Sequence, residues 1–177
     1  MGFSGELVFG RSARPLLEAP VFGGAQEDDG GGVTAWWPRP GGWQTLQFHD
    51  TLPADPKDVL RAVVEWTGAP ACVARVHDSD VALVSGLEPG GDRWQTWLNL
   101  EIAAEMTDRP PAELDARVPG DAARILAWAW DADAGEGVES AAVAQTLRSR
   151  EPCVEDLFTA LLDRLGFPPA TDPEARG

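Results

Sequence analysis

The chain changes its hydrophobic rhythm at Leu100. Before that residue, apolar side chains come in short runs of β-formers broken by Gly, Pro and Asp; after it, they recur every three or four residues in Ala- and Leu-rich segments. A strand repeats its faces every second residue and a helix about every 3.6, so the first part predicts sheet and the second helix. Strands followed by helices define an α+β fold with a mostly antiparallel sheet. A chain of 177 residues can bury about two-thirds of its unfolded surface in one core and is short for two. The expected organisation is a single domain over 1–170 with a flexible tail at 171–177.

Within the first part, Gly5 to Gly10 reads as a strand that ends at SARP, and GGAQEDDGGG at 23–32 reads as an acidic loop. VTAWW and WQTLQF, separated by PRPGG, suit neighbouring antiparallel strands. One helix is inserted at 56–67. Asp55 can cap it, Pro56 takes the first helical position, Val59, Ala62, Val63 and Trp66 share a face, and Gly68 supplies the stop. ACVARVH, DVALVSGL and RWQTWLNL then predict a three-stranded antiparallel meander over 71–99. The helical part comprises AAEM, PAELDARV, DAARILAWAW, ESAAVAQTLRSR and VEDLFTALLDRLGF.

The triplet WQT occurs at Trp43 and again at Trp94. Strand alternation distinguishes the two copies. In the first, Gln44, Leu46 and Phe48 share the face expected to be buried, leaving Trp43, Thr45 and Gln47 outward. In the second, Trp94, Thr96, Leu98 and Leu100 are expected inward, leaving Gln95, Trp97 and Asn99 outward. Similar strand composition therefore explains the repeat better than a duplicated site.

Eight Trp residues stand beside no Tyr, and an exposed Trp can anchor an interface. Trp66, Trp128 and Trp130 lie in helical patterns and are expected to pack in the core. Trp36 and Trp37 are adjacent, so they point to opposite faces of a strand, and one is exposed unless both faces are covered. The partner-binding candidates are Trp36, Trp37, Trp43 and Trp97.

Polar chemistry is sparse. His49 with Asp50, and His77 with Asp78 and Asp80, could supply an oriented base or metal ligands. Asp and Ser in HDSD also have a local role as turn formers, and that reading is preferred, with no metal and no cofactor expected. No Ser lies in a nucleophile elbow, and no Gly-rich run leads into the Lys and Ser or Thr of a phosphate loop. Glu101 and Glu105 share a helical face, which is read as solvated.

Acidic residues number 29 against 14 basic ones, a net charge of −15. Such a surface repels phosphate backbones and anionic lipid and attracts a basic protein. MGFSGELVFGRS does not read as a secretory signal, and no run is apolar enough to span a membrane. A cytoplasmic protein with two buried reduced thiols, Cys72 and Cys153, is expected. The stretches MGFSGELVFGRSARPLLEAP, PRPGGWQTLQ and GAPACVARVHDSDVALVSGL resemble uncharacterised proteins of high-GC actinomycetes such as Streptomyces, a resemblance that brings no residue roles with it.

These features favour a non-catalytic acidic binding protein engaging a protein partner, in a regulatory or toxin-neutralising role. A small-molecule or carbohydrate binder that stacks Trp on its ligand is the second reading, and an enzyme with a His/Asp site the third.

Overall fold

The computed structural model describes residues 2–23, 33–49, 52 and 54–167. Its strands are β1 (Gly5–Arg11), β2 (Val33–Pro38), β3 (Trp43–His49), β4 (Ala71–His77), β5 (Val81–Leu87) and β6 (Arg93–Leu98). They form one antiparallel sheet in the order β2-β3-β1-β4-β5-β6. The helices are α1 (Pro56–Thr67), α2 (Leu100–Thr107), α3 (Pro111–Asp131), α4 (Ser140–Leu147) and α5 (Val154–Arg164). The α+β class, the inserted helix and the meander of β4, β5 and β6 stand as the sequence predicts. The expected acidic loop beyond Gly23, Asp50 and the expected tail at 171–177 lie outside the described residues.

α1 forms where its signals are densest. The Asp55 carboxylate accepts the Lys57 amide at 2.9 Å, and Gly68, at φ 69°, closes the helix by donating its N–H to the Val64 carbonyl. Its apolar stripe, Val59, Leu60, Val63 and Val64, packs on Val8, Leu46, Phe48 and Val73 of the sheet. The opposite face carries Leu7, Phe9, Trp43, Ala74, Val84 and Trp94, and is roofed by the inward rows of α3, α4 and α5. The sheet is thus covered on both sides at its centre.

α3 joins two segments that the sequence left separate, running for 21 residues through Pro119. A proline there removes one amide bond and crowds the preceding turn. Packing outweighs that cost, because Leu114, Val118, Ala122, Ile125 and Ala129 keep one buried row while Pro119 and Gly120 face outward. Among the described residues, no helix is long and apolar enough to cross a membrane.

Candidate protein-interaction surface

Over β4, β5 and β6 one face of the sheet is fully covered and the other only at its ends. Residues pointing to α3, α4 and α5, namely Ala74, Val76, Ala82, Val84, Trp94 and Leu98, are buried. Of their neighbours of opposite parity, Ala71, Val73, Val81 and Leu87 are also buried, but Arg75, His77, Arg93 and Gln95 are exposed, and Leu83, Ser85 and Trp97 are half-buried. α1 lies over β1, β4 and the Leu87 end of β5, and α2 packs at the far corner against Val81. The gap between the two helices is an open window on the sheet.

Register places a continuous row of side chains across this window. Glu6 pairs with Arg75, Arg75 with Leu83, and Leu83 with Trp97. The adjacent pair Ser85 and Gln95 is joined by a bond from Gln95 Nε2 to Ser85 Oγ at 3.0 Å. At the inner end of the row the Glu6 carboxylate is buried, with Oε1 3.7 Å from Arg75 Nε and Oε2 without a hydrogen-bond partner. Burial pushes its pKa up, and the Arg75 charge opposes that shift.

At the outer end, β6 pairs only with β5 among the described residues and forms an edge of the sheet. Behind it, Thr96 Oγ1 donates to Asp121 Oδ2 at 3.2 Å. Burial raises the Asp121 pKa, while the Thr96 bond and the charges of Arg117 and Arg124 hold it down. The cleft between Trp97, Leu114, Arg117 and Asp121 has a volume of about 20 Å³. That is room for about one water molecule, too small for a substrate.

The four Trp candidates do not assemble into one surface. Trp36 and Trp37 stand on β2, the opposite edge from β6, a separation of about 24 Å at ordinary strand spacing. Both are half-buried, Trp36 toward the α1 side and Trp37 toward the other side. Trp36 Nε1 donates to Gln44 Oε1 at 3.0 Å. Trp43 does not face outward as expected. It is 5% exposed, stacks on Phe9 at 5.0 Å and meets the edge of Phe167 at 4.8 Å, because the residues after α5 cover this side of β3. Only Trp97 stands in the open window.

The repeated triplets serve different ends. Gln44 is buried and acts as a hub: Oε1 accepts the Leu16 amide at 2.6 Å, and Nε2 donates to the Arg14 and Ser12 carbonyls at 2.8 and 3.1 Å. Gln95 is exposed. Asn99 departs from the outward expectation: it is buried at φ 65°, and its amide donates to the Asp80 carbonyl.

Two further expectations about burial are corrected. Trp130 is 57% exposed rather than packed in the core, because Trp128 and Trp130 lie two positions apart on α3 and only Trp128 falls on the inward stripe. Trp128 donates its indole N–H to the Leu87 carbonyl at 3.2 Å. Cys72 is buried, which drives its thiol pKa far upward, but Cys153, at the start of α5, is exposed.

The histidines do not meet. His49 pairs with Gly5 and lies on the α3–α5 side, whereas His77 ends β4 on the α1 side. Asp78 and Ser79 form a left-handed turn at φ 52° and 57°. Asp78 Oδ1 accepts the Gly2 amide at 2.7 Å, and Ser79 Oγ accepts the Phe3 amide and donates to Glu155 Oε1, each at 2.7 Å. The turn thereby ties the chain start and α5 to the hairpin. Asp80 is exposed, and its amide closes the turn onto the His77 carbonyl. Among the described residues, no three His, Cys, Asp or Glu side chains converge as a metal site.

Sequence reasoning did not single out Arg75 and Leu83. Leu83 shares its parity with the buried Val81 and Leu87, so alternation alone assigns it to the core. Comparisons with protein-family models, curated proteins and solved structures find no match.

Proposed function

We infer that the chain is a non-catalytic binding protein that engages a foreign protein through the open window around Trp97. The observation that carries this reading is the cross-strand row of Arg75, Leu83 and Trp97, left partly uncovered between α1 and α2 beside the β6 edge. An aromatic anchor, an aliphatic neighbour and an unused strand edge are what an added strand requires: main-chain pairing for affinity and side-chain contacts for selection.

The occupant is a different protein rather than a second copy. A copy would bring another net charge of −15, and two such surfaces repel each other. A partner of net positive charge is steered toward this protein instead. A toxin-neutralising or regulatory role matches such electrostatic capture, and two unpaired thiols suit the cytoplasm.

The test places a photo-crosslinking amino acid at position 97 in the native cytoplasm, with Ala141, exposed on α4, as the control position. The expected result is one heterologous adduct at 97 that is absent at 141. The purified pair should associate more slowly as salt is raised, and Trp97→Ala should weaken it by about 2 kcal/mol or more. Adducts only with the chain's own copies, labelling equal at both positions, or undiminished binding by Trp97→Ala would each overturn the reading.

A further inference from the structure

A second feature lies where β1 ends and β3 begins. Two adjoining cavities of about 280 and 270 Å³ open there, and both are lined by Arg11, Trp43, Ala132 and Asp133. Asp131 lines the first of them. Neither Trp97 nor Leu83 contributes, so this site and the open window stand or fall separately. The volumes suit a ligand smaller than a typical drug.

The walls carry opposite charges that do not pair. Arg11 is held by its own side: its Nε donates to the Gly41 carbonyl at 3.0 Å, and its guanidinium lies 5.9 Å from the Trp43 ring centroid. Across the space, Asp133 is fixed in a left-handed conformation at φ 59°, just past the end of α3. Arg11 forms no ion pair with Asp131 or Asp133. Two opposite charges that line one cavity without pairing leave both available to a guest.

The anionic wall has more than its two carboxylates. The C-terminal end of α3, a helix of 21 residues, lies at this wall and adds partial negative charge. Glu88 senses the same field: burial and then the charges of Asp131 and Asp92 raise its pKa. Trp43 supplies a third recognition group. It is 5% exposed, its indole N–H has no acceptor among the described residues, and, unlike the N–H of Trp94, it is not sealed from solvent. A donor of that kind on a cavity wall is open to an acceptor from the guest in place of water.

We propose that this end of the sheet binds a small zwitterion of the α-amino-acid class. Arg11 and the Trp43 N–H take its carboxylate, and Asp131 and Asp133 take its ammonium group. A simple cation would leave Arg11 and the indole unanswered, and a simple anion would meet the repulsion of the α3 end.

The experiment follows the Trp43 indole resonance, assigned with Trp43→Phe, while the twenty standard amino acids are titrated, each also as its amide and as its N-acetyl form. At least one free amino acid should bind with a dissociation constant of about 1 mM or tighter. Capping either end should weaken it about tenfold or more. In Arg11→Met the penalty for amidation should vanish, and in Asp131→Asn/Asp133→Asn the penalty for acetylation should vanish. Arg11→Lys, which keeps the charge, should restore part of the discrimination. Absence of saturable binding up to about 10 mM, equal binding of capped and free forms, or unchanged discrimination in a folded Arg11→Met variant would each overturn the proposal.

Discussion

Replacing Gln44 by Ala tests whether one buried amide joins three segments of the chain. Its side chain satisfies the Leu16 amide, the Trp36 indole and the carbonyls of Ser12 and Arg14. The Trp36 indole and the two carbonyls lie in partly open surroundings and can turn to water, but Leu16 is 0% exposed and its amide cannot. An unsatisfied buried donor costs about 1–3 kcal/mol. Adding the lost packing gives an expected destabilisation of about 2–4 kcal/mol. Gln44→Met nearly preserves the volume and should retain most of that loss, which isolates the hydrogen-bonding part. Gln95→Ala, in the other triplet, removes one exposed bond to Ser85 and should cost less than about 0.5 kcal/mol. Urea unfolding at pH 7, followed by Trp fluorescence, reads all three, provided the denaturant slope stays constant. If Gln44→Ala matches Gln95→Ala within about 0.5 kcal/mol, the hub assignment is wrong.

Gly86→Ala would place a Cβ 2.1 Å from the Trp94 ring across the strand pair, and Trp94 is braced against Trp128 at 5.4 Å. The expected loss is about 1–3 kcal/mol with an altered near-ultraviolet spectrum, and an unchanged melting temperature would contradict that packing. The raised pKa of Glu6 fixes the sign of its linkage: its contribution is fully present below the ordinary carboxylate range and is lost as pH rises through the raised value. Glu6→Gln should therefore flatten the decline of stability above that range, and a stability–pH curve parallel to that of the parent would refute this. Native protein should react with a thiol reagent at Cys153 and spare Cys72 until it unfolds; rapid labelling of both would show that Cys72 is not shut in the core.

Features with local causes were legible in the sequence. α1 is written in Asp55, Pro56 and Gly68, and the meander in β-rich runs separated by turns, so neither depends on distant residues. Alternation also divides each strand into two faces correctly, but it cannot say whether the second face is covered. Trp43 and Trp97 both occupy faces read as outward; Phe9 and Phe167 enclose the first, whereas the cluster of Val81, Ala103, Ala104 and Leu114 covers the second only in part. The same limit hid Leu83, whose exposure depends on where α1 stops. Pro119 misdirected the reading of α3, because a local break signal lost to a buried row that continues on both sides of it. The cavity at Arg11 was invisible for another reason: its walls come from segments more than a hundred residues apart in the chain.

The position of β1 constrains the order in which the molecule can be assembled. β2 and β3 can close on each other through a short connection, as can β4, β5 and β6, but β1 lies between the two groups and is the only strand that touches both. Val8 pairs with Leu46 on one side and with Val73 on the other. β1 must therefore wait for two partners that follow it in the chain, and the search for those distant pairings sets the pace of folding more than the local hairpins do. Until it docks, two separate sheets each present a bare edge, which is the moment at which the nascent chain is most open to aggregation.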